Sequence, residues 1–179
     1  MNFRAFIGTL VGALSFSVAP VAARTGSFED HVHLYNTIQS VGVTVLINHP
    51  KYCDGRIDGS YSSRDRVLNI CQDNASYMNR ETDWTANDLD TLRHEAHHLV
   101  QDCYLGRLGD SQLAPIHGSD AATLKFIGDA IGESHARSLM NNPAYQGKPQ
   151  VHMIEMEAFA TAAVIDARTI AEKMTQLCR

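Results

Sequence analysis

The sequence HEAHH at residues 94–98 constrains the fold of this 179-residue chain more than any other feature. It lies in a stretch that starts at a favourable N-cap, Thr85, and runs without glycine or proline to about Cys103, which predicts a helix. At 3.6 residues per turn, His94 and His98 lie about 40° apart and one turn above the other, so both imidazoles can reach one metal ion. Apolar residues on the opposite side of this helix predict a face that packs into the core: Leu89, Leu92, Ala96, Leu99 and Cys103.

Two other side chains of this motif are expected to stay off the metal. Glu95 flanks the ligand face without overlapping it, a position that suits a base acting on a metal-bound water. His97 points roughly 60° away from His94, which favours an outer or surface position over a ligand role. Two weaker interpretations stay open: a helix that carries three histidines without a metal, and a structural zinc site without catalysis.

A catalytic zinc site needs a third protein ligand and an open fourth position. The extended pattern H-E-x-x-H-x-x-G-x-x-H is absent, because Gln101 and Tyr104 stand at its last two defined positions, and a G-T-x-D motif is absent too. The remaining candidates are the later glutamates Glu133, Glu155, Glu157 and Glu172. Glu157 is preferred because alanines at 158, 160 and 162 allow close helix packing, and Glu155, about 200° away on the same helix, is the alternative.

With these residues the chain resembles the gluzincin metallopeptidases, in which H-E-x-x-H on one helix is completed by a glutamate on the next major helix. The resemblance implies a zincin-like fold with one catalytic zinc held by His94, His98 and Glu157, and Glu95 as the general base of peptide-bond hydrolysis. It also implies that the strand ending at 68–71 forms the cleft edge that pairs with an extended peptide. The segment 94–103 is similar to small uncharacterised metallopeptidase-like proteins of bacteria and phages, a likeness that implies no substrate.

The chain departs from the gluzincin pattern in two places. The gap between His98 and Glu157 is longer than in compact members of the family, and it would hold a further helix at 120–140. Many gluzincins carry an aspartate four residues after the ligand glutamate, where it orients a histidine, and Thr161 stands at that position here. A hydroxyl, Asp166 or another group could take that role. The candidates for stabilising an oxyanion are His117, His135, Tyr145 and His152.

The first 23 residues are typical of a secretory signal peptide. Arg4 supplies the positive start, residues 5–18 are apolar or small, and small residues at 21–23 precede the expected cleavage site. The apolar run is shorter than the roughly 20 residues that a membrane span needs. We therefore expect residues 24–179 to form a single domain that is secreted or periplasmic and has no membrane attachment after cleavage.

Four cysteines remain in the exported part, an even number that predicts two disulfides in an oxidising compartment. Cys53 and Cys71 flank a short β region, which favours a bond between them. Cys103 and Cys178 each end a predicted helix, which favours the second bond. A thiolate metal site is disfavoured because no C-x-x-C spacing occurs.

Turn and periodicity signals predict an α+β fold: a small N-terminal antiparallel sheet followed by a mainly helical zincin-like core. A helix is expected after Ser27 to about Ser40, strands at 43–47, 57–61 and 66–71, and helices at 85–103, 120–140 and 151–177. The net charge of −5 argues against a nucleic-acid partner, so a peptide or protein substrate is expected. The alternatives are a non-catalytic zinc-binding or interaction protein on a zincin scaffold and a zinc amidase acting on a cell-wall bond.

Overall fold

The computed structural model describes residues 25–53, 57–76, 78–141 and 149–178, so the expected signal peptide at 1–23 lies outside the described residues. The described chain combines a small sheet with a larger helical part, which confirms the α+β prediction. Its elements, in chain order, are α1 (Phe28–Ser40), β1 (Thr44–Ile47), β2 (Gly59–Ser62), β3 (Val67–Ile70), α2 (Ala86–Tyr104), α3 (Asp120–Met140), α4 (Pro149–Val164) and α5 (Ala167–Leu177).

Capping boxes begin the first two of these helices where the sequence predicts helix starts. The Asp30 N–H donates to Ser27 Oγ at 3.2 Å, and the Ser27 N–H donates to the Asp30 carboxylate at 2.9 Å. Thr85 and Asp88 form the same reciprocal pair at 3.1 and 2.7 Å. Because each box satisfies two backbone donors that the helix itself cannot, the start of α2 is set by local sequence.

The three strands form a mixed sheet in the order β1-β3-β2. β2 and β3 are antiparallel, as predicted, but β1 and β3 are parallel, so the prediction of a purely antiparallel sheet is wrong for that pair. A tight turn joins β2 to β3, so these two strands run antiparallel. The longer link from β1 leads to β2 on the far side of β3, and the chain then returns along β3 in the same direction as β1. β3 is therefore the central strand, and β2, not β3, is an edge strand.

The predicted helix at 151–177 is two helices, because α4 ends at Val164 and α5 begins after Asp166. The Asp166 side chain accepts the Thr169 N–H at 2.9 Å and so caps α5. This capping role occupies Asp166, which the sequence analysis considered as a partner for a ligand histidine. The predicted helix at 120–140 is confirmed, with a kink at Gly132, where φ is 76°.

The larger apolar core lies between α1, the sheet, α2 and α5, and a smaller cluster joins α3 to α4. Leu92, Ala96 and Leu99 are fully buried in the larger core, as expected for the apolar face of α2. This packing leaves the opposite side of α2 to face β2 and α4.

Both expected disulfides are confirmed, Cys53–Cys71 and Cys103–Cys178. The second bond joins the C-terminal ends of α2 and α5 across a separation of 75 residues. Two disulfides indicate an oxidising compartment outside the cytoplasm. No helix among the described residues is long and apolar enough to cross a membrane.

Candidate metal centre

His94 and His98 project from one side of α2, one turn apart, and both are buried. Their Nε2 atoms lie 3.1 Å from each other, and the two rings meet edge to face. The structure therefore confirms that residues 94–98 are helical and that the two imidazoles lie close together.

The third member of this cluster is Glu155, from the facing helix α4. Its Oε2 lies 3.4 Å from His94 Nε2, and its Oε1 lies 3.6 Å from His98 Nε2. Zinc bonded to nitrogen and oxygen at about 2.0–2.1 Å with tetrahedral angles separates neighbouring ligand atoms by roughly 3.3 Å. The spacing of the three side chains therefore fits a zinc ion, and two imidazoles with one carboxylate are a donor set that zinc accepts.

Glu157, the residue preferred from the sequence as the third ligand, is not part of this cluster. α4 does pack closely on α2, since Arg93 Nε donates to the Ala162 carbonyl at 3.0 Å, but Glu157 faces away from His94 and His98. Each alanine at 158, 160 and 162 lies about 200° around the helix from the one before it. The three alanines therefore allow neighbouring helices to pack close to α4, but they do not indicate which face of α4 contacts α2. The rotation of α4 brings Glu155 to the cluster, the residue that the sequence analysis held as the alternative.

The electrostatics of the cluster favour a positive charge between the three side chains. Burial opposes protonation of His98, but the hydrogen bond to Glu155 and the charges of Glu95 and Glu155 outweigh it and raise the pKa of His98 to about 9. Burial likewise opposes ionisation of Glu155, but its hydrogen bonds to both histidines lower its pKa below the ordinary range. A metal cation bound here would take the place of the proton that this pair otherwise holds.

Phe159 supports the cluster from α4. It lies four residues after Glu155, hence on the same side of α4, and its ring packs against the His94 ring with 4.4 Å between centroids. His94 Nδ1 is buried and has no hydrogen-bond partner among the described residues, so ring packing adds to the contacts of Nε2 in orienting this imidazole. Phe159 carries no sequence signal of its own, but its spacing of four residues from Glu155 predicts that the two side chains share one face of a helix.

Glu95 is buried beside the cluster and lines the same cleft. Burial raises the pKa of its carboxyl group, while the nearby His94 and His98 and a hydrogen bond from the Tyr61 backbone N–H pull the pKa down. Its carboxylate is thus held between α2 and the edge strand β2, near the three converging side chains but outside their group.

Gly59 lets β2 approach α2 at this point. A Cβ atom at residue 59 would lie 2.6 Å from Thr91 Cγ2, closer than real Cβ atoms approach another atom, and 3.0 Å from Glu95 Cγ, which is tighter than an ordinary contact. Asp58 and Gly59 form an Asp-Gly pair, which in the sequence indicates a turn and gives no sign of this packing role. The absence of a side chain is therefore needed for the close contact between the edge strand and the helix that carries Glu95.

His97 and Glu157 form a second, separate cluster on another side of α2. His97 Nε2 lies 3.2 Å from Glu157 Oε2, and both side chains are buried. Burial lowers the pKa of His97, and a hydrogen bond to Glu157 acts in the opposite direction. Thr161 contacts His97, at 3.4 Å, and not a histidine of the His94 cluster. His97 is therefore buried and lies outside the group formed by His94, His98 and Glu155.

The cleft has a volume of about 600 Å³ and lies between β2, α2 and α4. Its lining, besides His94, Glu95, His98, Glu155 and Phe159, consists of Ile57, Asp58, Gly59, Ser60, Tyr61, Asn87, Asp90 and Thr91. Three expected oxyanion-stabilising residues, His117, His135 and His152, are not part of this lining, and Tyr145 lies outside the described residues. Polar groups from β2 and the first turns of α2 occupy the cleft instead.

No protein-family model matches the chain, and no curated protein or solved structure matches it either. The likeness to gluzincins therefore rests on the residues of α2 and α4.

Proposed function

We propose that this protein is a zinc-dependent metallopeptidase whose zinc ligands are His94, His98 and Glu155. The observation that carries the proposal is the convergence of these three side chains, at 3.1–3.6 Å from one another, in a cleft that also holds Glu95. Three protein ligands with an open fourth position are the arrangement of catalytic zinc, whereas structural zinc is closed by four.

Glu95 is the general base of the proposed reaction. Zinc, when bound, lowers the pKa of a bound water and polarises a carbonyl group. The Glu95 carboxylate takes the proton of the attacking water and passes it to the departing amine. Burial raises the pKa of Glu95, which makes its carboxylate a better acceptor for that proton than an exposed glutamate would be.

The substrate of the proposed reaction is an extended peptide lying along β2. Among the described residues this strand pairs only with β3, on one side, and it borders the cleft beside Glu95. Apart from the Tyr61 N–H, which donates to Glu95, this edge of β2 offers backbone N–H and C=O groups to a second extended chain. The role that the gluzincin resemblance assigned to the strand at 68–71 therefore passes to β2.

Metal analysis and a peptide-library cleavage assay on the same preparations test this proposal. We expect one zinc per chain in the wild-type protein and in Glu95→Gln, with hydrolysis lost only in the variant, by roughly 100-fold or more. Glu133→Gln is the matched control, because Glu133 is exposed on α3 and pairs with Arg137. Unchanged turnover in Glu95→Gln would refute the base assignment, and zinc without cleavage of any peptide would identify a non-catalytic zinc protein.

Export to the periplasm or the medium is part of the proposal. The two disulfides require an oxidising compartment, and residues 1–23 have the signal-peptide pattern. N-terminal sequencing of protein recovered outside the cytoplasm should begin at Arg24. An intact N-terminus on that protein would contradict signal cleavage.

A further inference from the structure

Gln101 bridges the two histidine clusters of α2. It is fully buried, and its Oε1 lies 2.8 Å from His98 Nδ1. Its Nε2 donates to Glu157 Oε2 at 2.7 Å and to the Ile154 carbonyl at 3.0 Å. Gln101 lies three residues after His98 on α2, and Glu157 lies on the facing helix α4. One amide therefore connects His98 of the metal centre with the carboxylate of Glu157.

The partners of Gln101 determine which way its amide points. An amide group has two N–H donors on one end and an acceptor oxygen on the other. Glu157 Oε2 and the Ile154 carbonyl are both acceptors, so the NH₂ end must face them and the oxygen must face His98. His98 Nδ1 then carries a proton and donates it to Gln101, so Nε2 is the nitrogen directed towards His94 and Glu155 and the one at which a metal ion would replace a proton.

Glu157 is itself held in one position by other donors. Its Oε1 accepts the Ile116 backbone N–H at 3.0 Å, and its Oε2 lies 3.2 Å from His97 Nε2. The side chain is fully buried, so an ionised carboxylate at this place is retained only because these donors surround it. Both oxygens are thus committed to N–H groups, which explains why Glu157 is unsuited to bind a metal directly.

We propose that Glu157 is a positioning residue that acts on the metal centre through Gln101. Its carboxylate fixes the Gln101 amide, and the amide fixes His98 in the form whose Nε2 can bind a metal. The inference rests on the proposed metal site, but it adds a role for a buried carboxylate that does not touch the metal.

A double-mutant cycle on zinc affinity tests the connection. The dissociation constant for zinc is measured by competition with a chelator for wild type, Glu157→Gln, Gln101→Met and the double variant. Each single substitution should weaken zinc binding by about 10–100-fold, the range for lost partners of ligating histidines. The double variant should bind no more weakly than Gln101→Met, because Glu157 acts only through the residue already removed.

A spectroscopic measurement separates this role from a merely structural one. In the zinc-loaded wild-type protein, NMR should detect a slowly exchanging His98 Nδ1–H proton, which Gln101→Met should shift or broaden away. Glu157→Gln should move the same signal although it lies outside contact with His98. Glu133→Gln should change neither the affinity nor the signal, because its exposed position isolates it from this chain of hydrogen bonds.

The failures of the two proposals are distinguishable. If the wild-type protein binds no zinc, the proposed function fails. If it binds zinc and the two substitutions act additively, or Gln101→Met binds as tightly as wild type, the role of Glu157 is wrong while the metal site stands. If Glu157→Gln does not fold, Glu157→Asp takes its place in the same cycle, because it keeps the charge but draws the carboxylate away from Gln101.

Discussion

Gly59→Ala tests the close contact between β2 and α2 directly. The added Cβ would lie 2.6 Å from Thr91 Cγ2 and 3.0 Å from both Glu95 Cγ and the Asn69 carbonyl. Ordinary contacts between carbon atoms are about 3.5–4.0 Å, so the strand and helix must separate by up to about 1 Å at this point. We expect destabilisation of about 1–3 kcal/mol, the usual cost of overpacking.

The same displacement should reduce hydrolysis more than zinc binding. Glu95 is held between α2 and β2, whereas the three proposed zinc ligands come from α2 and α4. A misplacement near 1 Å of a catalytic group costs on the order of 100-fold in rate. Chemical denaturation, zinc content and the peptide-cleavage rate are measured on one preparation.

Two further variants make the test strict. Thr91→Ser removes the methyl group at 2.6 Å but not the contacts at 3.0 Å, so combined with Gly59→Ala it should restore part of the lost stability. Gly128→Ala is the matched control, because a Cβ there meets nothing within 4 Å and α3 should gain about 0.5–1 kcal/mol. The reasoning is refuted if Gly59→Ala is as stable and active as wild type, or if Thr91→Ser gives no rescue.

Three other outcomes are expected. Glu155→Ala should lose zinc during dialysis against a weak chelator, whereas a variant that keeps its zinc would exclude Glu155 as a ligand. His31 accepts a hydrogen bond from Arg93, and burial lowers the pKa of His31. The unfolded chain therefore binds a proton at His31 more readily than the folded chain does, so stability should fall as the pH decreases below 6.5. His31→Gln should make this fall in the denaturation midpoint shallower. Replacing Cys103 and Cys178 by serine should destabilise the protein by about 4 kcal/mol on the chain-entropy relation for a 75-residue separation, and a loss below about 1 kcal/mol in denaturant titrations would contradict it.

The helix that carries the proposed base could be predicted because its determinants are local. The capping box at Thr85 sets where α2 begins, and the spacing of four residues places His94 above His98 whatever the rest of the chain does. The break before α5 was also readable in principle, since Asp166 and Thr169 have capping spacing, but an alanine-rich stretch without glycine or proline concealed it.

The strand order and the third member of the cluster were not readable in this way. Whether β1 pairs with β2 or β3 depends on where the link between them crosses the sheet, which no local pattern encodes. Glu155 and Glu157 sit on one helix with equal chemistry, and only the rotation of α4 about its axis separates them. That rotation follows from packing against α3 through Met156 and Ala160 and from the donors that surround Glu157. Local sequence thus determined that His94 and His98 lie on one face of α2. Long-range packing decided that Glu155 contacts them, because contacts between helices depend on residues far apart in the chain.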